Sequence, residues 1–413
     1  MEWKKYKLKD IGRIVTGKTP CTQIEDNYIN GTIPFYTPED VARGYGLVGN
    51  NKRFITEKGF EEIKNNTLNG ESVHVGCIGS DMGNVAYSNM RCATNQQINS
   101  ITDFKIGVSP LYVYYLLSTK KADFQKIAGA TTTPILPKSV FQDYEILLPN
   151  FSIQESIASV LSTLDRKIAL NKRINHNLEA MAKQLYDYWF VQFDFPGADG
   201  KPYKSSGGKM VWNEKLKREI PEGWKCGTLL DIANYTNGLA CQKFRPTSEA
   251  KLPVIKIKEM HDGLSAETEW VKADIPEDVK VYDGDVLFSW SASLEVMLWA
   301  YGEGGLNQHI FKVTSKKGYP RSFYFYQLIN YIDVFKRMAE ARKTTMGHIT
   351  QDHLKQSTIA LPPTLDLPNL LEQRLCPIFD TLVSNNQEIT SLTKQRDELL
   401  PLLMNGQATV AAD

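Results

Sequence analysis

A chain of 413 residues is too long for one ordinary hydrophobic core, so two or three domains are expected. Hydrophobic residues make up 42% and charged residues 23%, an ordinary globular composition with no apolar run of 18 residues that could span a membrane. Lys and Arg number 48 against 47 Asp and Glu, which points away from a free-standing basic nucleic-acid binder and leaves such contact to local patches in a larger assembly. The opening Met1-Glu2-Trp3-Lys4-Lys5-Tyr6 carries no apolar signal-peptide region. Cys21, Cys77, Cys92, Cys226, Cys241 and Cys376 form no C-x-x-C pair and read as reduced thiols of a cytoplasmic protein.

In chain order, the sequence is two similar halves. Trp3-Lys4 with Leu8, Asp10 and Ile11 returns as Trp224-Lys225 with Leu229, Asp231 and Ile232, and Gly17 answers Gly238 at the same offset. Ile33-Pro34-Phe35 and Leu252-Pro253-Val254 both read as strands, and Asn69-Gly70-Glu71 and Asp283-Gly284-Asp285 as turns before an apolar strand. Asn95-Gln96-Gln97-Ile98 is matched by Asn307-Gln308-His309-Ile310, Thr131-Thr132 by Thr344-Thr345, and Leu147-Leu148-Pro149 by Ala360-Leu361-Pro362. Matches kept in one order along the whole chain mark an internal repeat.

Each half closes with a long helix. Ile157, Leu161, Leu164, Ile168, Leu178, Leu185 and Trp189 fall on one stripe, and Leu371, Leu375, Ile378, Leu382, Leu392, Leu399 and Leu403 repeat its spacing. So narrow a stripe predicts a coiled-coil seam. Asn171 and Asn385 interrupt the stripes at equivalent positions, either as buried residues that fix register or at the solvent edge. Pro377 is expected to kink the second helix or mark its true start. About 38 residues span roughly 57 Å, and antiparallel pairing of two such helices predicts a dumbbell. Between the halves, the aromatic run Tyr186 to Phe195 breaks at Pro196-Gly197, and Ala198 to Pro221 is too polar and broken to build a core. The expected fold is α+β: a strand-rich domain over 1–150, a spacer helix over 151–190, a linker over 191–221, a second strand-rich domain over 222–365 and a helix over 366–406.

Catalytic motifs are missing in any credible context. Gly12 to Thr19 fits the Walker A pattern, but charged residues precede it and Pro20 follows Thr19 where a helix is required. His348 and His353 lack the intervening pattern of a zinc motif, no G-x-S-x-G elbow occurs, and Leu361-Pro362-Pro363-Thr364 is not an amino-methyltransferase motif. No catalytic or metal-ligating residues are assigned. Hydrogen-bonding side chains recur instead. Thr16, Gly17 and Lys18, Thr131 and Thr132, and Lys343, Thr344 and Thr345 suit phosphates. Asn95 and Asn307 are amides of the kind that pair with adenine, although sharing by both halves favours a structural turn. Base contacts are expected where the halves differ, in Thr37–Phe54 and Lys256–Glu269, with Tyr36, Thr37, Arg43, Lys256 and Lys258 as candidates.

Three stretches carry a family resemblance. They are Trp189-Phe190-Val191-Gln192-Phe193-Asp194-Phe195-Pro196, then Ser206-Gly207-Gly208-Lys209-Met210 with Ile220-Pro221-Glu222-Gly223-Trp224, and finally Gln395 to Gly406. Together with the repeats and their closing helices, they make the chain resemble the specificity (S) subunit of type I restriction–modification enzymes. Pro377 and Gln395 depart from the pattern of the last helix. The resemblance implies two target recognition domains, each reading one part of a split sequence in double-stranded DNA. It also implies spacer helices that dock two methyltransferase (M) subunits, through residues such as Ile157, Leu161, Leu164, Ile168, Asn171, Leu178, Leu185, Leu371, Leu375, Ile378, Leu382, Asn385, Leu392 and Leu399. S-adenosylmethionine would be held by the methyltransferase, restriction (R) motor subunits would join through it, and this chain would hold no cofactor. The alternatives are a detached specificity half of a fused methyltransferase–nuclease and a structural scaffold that does not bind DNA.

Overall fold

The computed structural model describes residues 3–42, 52–129, 134–291, 293–341, 349 and 351–410. Two compact units form, Met1–Ala169 with Leu392–Asp413 and Leu170–Ser391. Both boundaries fall inside the long helices Phe151–Tyr186 and Asp366–Met404, so each unit holds one end of each helix. No described helix is long and apolar enough to cross a membrane.

The first unit contains two four-stranded sheets. One has the order Arg13–Thr16, Ile98–Thr102, Ser72–Gly76, Val85–Ser88, all antiparallel. The other runs Phe54–Ile55, Ile33–Tyr36, Arg91–Thr94, Thr67–Asn69, with a parallel pairing of Phe35 to Ala93. Strand Ser72–Gly76 is buried along its length, and the period-two alternation divides its side chains between two faces. Val73 and Val75 pack with Tyr112, Val113 and Leu161. The alternate residues form a polar ladder: Ser72 Oγ donates to Thr102 Oγ1 at 3.0 Å, and the His74 nitrogens lie 2.9 Å from Ser100 Oγ and 2.8 Å from Ser88 Oγ.

Burial pushes the His74 imidazole down to about 3. The unfolded chain therefore takes up a proton near the ordinary value of about 6.5 that the folded one refuses. The neutral, folded form holds its full advantage above pH 6.5, and that advantage fades as pH falls towards 3, by a few kcal/mol on the order of 1.4 per unit. The melting temperature should fall more steeply with acid in the native chain than in His74→Gln. Parallel curves would place the acid sensitivity elsewhere.

The second unit repeats this topology. Its sheets run Ala233–Asn237, Ile310–Ser315, Val286–Ser289, Glu295–Leu298 and Trp270–Lys272, Lys251–Ile255, Gly304–Leu306, Lys280–Val281, again with one parallel pairing, Val254 to Gly305. In the first unit Lys4–Lys7 pairs with Glu145–Leu148, and in the second Lys225–Thr228 pairs with Thr358–Leu361. The aromatic run at the helix end is core rather than spacer. Past Tyr186 the helix widens into a π-turn over Asp187–Val191. Phe190 meets Phe323 edge-on at 4.9 Å, and Tyr186 stacks on Tyr326 at 5.3 Å.

The stretch read as a broken linker is ordered. Phe195 stacks between Tyr203 at 4.8 Å and Trp224 at 5.5 Å, and Met210–Asn213 pairs with Arg218–Pro221 as a hairpin. Its Gly and Ser form turns around buried aromatics, which a count of polar residues does not register.

Within each unit the long helices run antiparallel. In the first, Arg396 Nη1 lies 2.8 Å from Asp165 Oδ1. In the second, Asn171 Nδ2 donates to Glu388 Oε2 at 2.7 Å, Asn385 Nδ2 to Asn175 Oδ1 at 2.8 Å, and Asn175 Nδ2 to Asn386 Oδ1 at 2.9 Å. Asn171 is buried and Asn385 half-buried, so both join a cross-helix polar layer, the register-fixing role open to such residues. Pro377 does not mark a helix start. The helix begins at Asp366, and Thr381 Oγ1 donates to the Pro377 carbonyl at 2.7 Å. One missing N–H costs one rung in a helix anchored on both sides by Leu371, Leu375, Phe379 and Leu382.

Candidate nucleic-acid interface

The repeat places the same backbone corner in each unit. In the first, Phe35 N donates to Arg53 O at 3.0 Å, and Asn95 N to Tyr36 O at 3.1 Å. In the second, Val254 N donates to Glu269 O at 2.8 Å, and Asn307 N to Ile255 O at 3.0 Å. Beyond each strand the chain turns into a short helix, and the N–H of the residue just before that helix is bonded by a side chain three residues on. Thr37 N donates to Asp40 Oδ2 at 2.9 Å, and Lys256 N to Glu259 Oε2 at 3.1 Å.

The side chains at this corner differ. Arg53 Nη1 donates to Thr37 Oγ1 at 2.9 Å, and Lys52 Nζ lies 3.0 Å from Glu39. A cleft of about 610 Å³ opens here, lined by Thr19, Tyr28, Thr37, Lys52, Arg53 and Asn95 among others. At the equivalent place Lys256 Nζ lies 2.5 Å from Glu269 Oε1, and Lys258 pairs with Glu267. These lysines hold the carboxyls of Glu269 and Glu267 below the usual range, chiefly through the hydrogen bonds themselves. An exposed aromatic follows each corner, Phe54 at 41% and Trp270 at 46% exposure.

Of the residues singled out in the sequence, Thr37, Lys256 and Lys258 come together at these corners. Tyr36 does not present a surface. It ends an interior strand, is wholly buried with its ring 5.6 Å from that of His74, and burial raises its hydroxyl pKa. Thr16 Oγ1 donates to Asn99 Oδ1 at 2.7 Å inside the sheet, while Lys18 is exposed just beyond the strand. Gly17 is explained by packing: a Cβ there would overlap the backbone of Thr94 and Asn95, and one at Gly238 that of Leu306 and Asn307. The Walker-like stretch is a strand, Arg13–Thr16, with no helix after Lys18. Asn95 Oδ1 accepts from Gln97 N at 3.1 Å and Asn307 Oδ1 from His309 N at 3.4 Å, so both amides brace a turn. Arg43, Thr131, Thr132, Lys343, Thr344 and Thr345 lie outside the described residues.

The helix-stripe residues are buried or half-buried. Ile157 and Leu161 pack with Leu403 and the first unit's core, and Leu371, Leu375 and Leu382 with the second's. The fully buried members spend their apolar area inside the fold, while Leu170, Ile174 and Met181 are exposed on the first long helix. Residue types missed Arg53 and Glu269. Their signal was position, at the end of the differing stretches and immediately before an exposed aromatic.

Among the described residues no group of three His, Cys, Asp or Glu gathers as a metal site, and the six cysteines are unpaired. Two copies of one mixed-sheet unit, alike in backbone and different at one corner, define a duplicated recognition protein. The chain belongs to the family of the type I restriction modification DNA specificity domain, whose profile matches residues 1–180 and 221–397. It is 29% identical to the type I restriction enzyme MjaIX specificity subunit of Methanocaldococcus jannaschii over 99% of this chain and 94% of that one. It is 22% identical to the HindI specificity subunit of Haemophilus influenzae over 98% and 99%. The fold matches the type I S subunit from M. genitalium with a TM-score of 0.63 at 14% identity, covering 100% of this chain and 97% of that one. Its function is that of a DNA specificity subunit.

Proposed function

We propose that the two units read the two parts of a split double-stranded DNA target, one unit to each part. The observation that carries this reading is the repeated corner: equivalent backbone positions hold Thr37 and Arg53 in one unit and Lys256 and Glu269 in the other. Two readers of different sequences need a common scaffold and different side chains at the reading edge. Methyltransferase subunits would dock on the outward helix faces and hold S-adenosylmethionine for adenine methylation, restriction subunits would join through them, and the assembly would act on cytoplasmic DNA. This chain's own residues bind and position.

In this reading the helices also set the distance between the two recognised parts. Both cross from one unit to the other, at Ala169–Leu170 and Ser391–Leu392. Four residues added to each helix at those levels lengthen it by about 6 Å and turn it by roughly 40°. At about 3.4 Å per base pair, the unspecified spacer in the methylated target should grow by one or two pairs, with both recognised parts unchanged. Full methylation with the original spacer would show that the helices do not set it.

A further inference from the structure

With cations and anions almost equal in number, DNA contact falls to cations that no carboxylate already engages. At the second unit's corner Lys256 and Lys258 are engaged, by Glu269 and Glu267. Lys251 and Lys272, on the two strands beside them, have no carboxylate partner among the described residues. The pairing of Lys251–Ile255 with Trp270–Lys272 sets these two lysines directly opposite each other, and Pro253 opposite Trp270. Period-two alternation puts all four on one face, while Leu252 and Val271 between them are buried on the other. On the outer face each ammonium sits over a ring. Lys251 Nζ lies 4.9 Å from the Trp270 centroid and Lys272 Nζ 5.6 Å from that of Phe244. The rings hold the two charges in place without neutralising them.

Like charges directly opposite one another weaken a strand pair. The fold itself does not call for them. In the first unit Ile33 pairs with Ile55 and Pro34 with Phe54, and continuing that register sets Thr32 opposite Thr56. The duplicated scaffold therefore accepts an uncharged pair at this place, and the second unit carries two unneutralised cations instead. Charges that oppose the fold and lack an internal partner call for an external anion.

We infer that Lys251 and Lys272 form a phosphate-binding site of the second unit, holding the backbone of the duplex that is read at the adjoining corner. This rests on the proposed reading of that corner as DNA-facing. The two are continuous: Trp270 follows Glu269 directly, and Lys256 is the first residue after the strand that begins at Lys251. An ammonium on a flexible stem is a compact point charge suited to a phosphate oxygen, whereas base edges are told apart by forked, bidentate groups. Contacts of this kind fix the position of the duplex and select no sequence.

The test is DNA binding by the chain assembled with its methyltransferase subunits, as the native protein, as Lys251→Gln with Lys272→Gln, and as Lys251→Thr with Lys272→Thr. The probes are a duplex carrying the methylated target and an unrelated duplex of equal length, between about 50 and 200 mM salt. Each lost phosphate contact should lower the slope of log affinity against log salt by about 0.9. Either double variant should therefore lose about 1.8 of slope and bind both duplexes roughly 10- to 60-fold more weakly near 0.1 M salt, with the methylated sequence unchanged. The Thr pair copies the first unit and removes the like charges, so its melting temperature should be unchanged or higher. An unchanged slope in both double variants would overturn the site. So would a changed methylated sequence or a loss confined to the target duplex, either of which marks base reading. A lower melting temperature in both variants would assign the lysines to folding and overturn it too. Footprinting of the native complex tests the underlying reading: protection of only one part of the target would remove that reading. Protection of both parts beside an unchanged slope would remove the phosphate site alone.

Discussion

Asp165→Ala is expected to destabilise the first unit by about 3–5 kcal/mol, the largest effect of any single substitution considered. Asp165 is 4% exposed and accepts from Tyr115 Oη at 2.6 Å and from Arg396 Nη1 at 2.8 Å, so its removal takes the buried carboxylate from a part-buried guanidinium, which keeps only Asp397 as its carboxylate partner among the described residues. Burial opposes the charge on Arg396, but its hydrogen bonds to Asp165 and Asp397 more than offset this and raise its pKa. The second unit shows the apolar alternative. The helix stripes align Asp165 with Phe379 and Arg396 with Ala182, and Tyr326, in the place of Tyr115, packs against the Phe379 ring at 6.0 Å. Asp165→Leu with Arg396→Met and Tyr115→Phe should therefore recover most of the loss, because an apolar replacement of a buried pair is often neutral. Urea unfolding of the single and triple variants checks both halves of the expectation. A single variant within 1 kcal/mol of the native chain would show that the pair is solvated.

Gly17→Ala and Gly238→Ala should each cost roughly 1–3 kcal/mol or more, from overpacking against atoms that cannot move aside. In both units the added Cβ meets backbone carbonyls, of Thr94 and Asn95 at Gly17 and of Leu306 and Asn307 at Gly238, and at Gly17 it also meets the buried Thr94 Oγ1. Gly70→Ala is the control. A Cβ there meets nothing within 4 Å, so loss of unfolded-chain freedom should leave it neutral or stabilised by about 0.4–1 kcal/mol. Equal effects at Gly17 and Gly70 in thermal melts would remove the packing explanation for the repeated glycine.

Much of the fold was legible because the chain states it twice. Gly17 with Gly238 and Asn95 with Asn307 mark where backbones cross closely, and that requirement is written in residue type. The helix stripes were legible for the same reason, since apolar spacing reports burial directly. What else covers a stripe is not in the spacing: Ile157 and Leu161 read as a helix–helix seam, and they pack both with Leu403 of the other helix and with the first unit's core. Tyr36 looked like a surface aromatic beside a variable stretch, yet strand alternation with both faces covered buries it. Arg53 and Glu269 stayed hidden because their equivalence depends on strand register across gaps of unequal length, which becomes visible only when Phe35 and Val254 are seen to bond to them.

Division of labour between the units is tested most directly by exchanging residues 1–150 for the same region of a relative with another target, and sequencing the methylome of cells that carry the otherwise unchanged system. Independent reading by the two units predicts a new first part, with the second part and the spacer length retained. A change in both parts, or none in either, would contradict it.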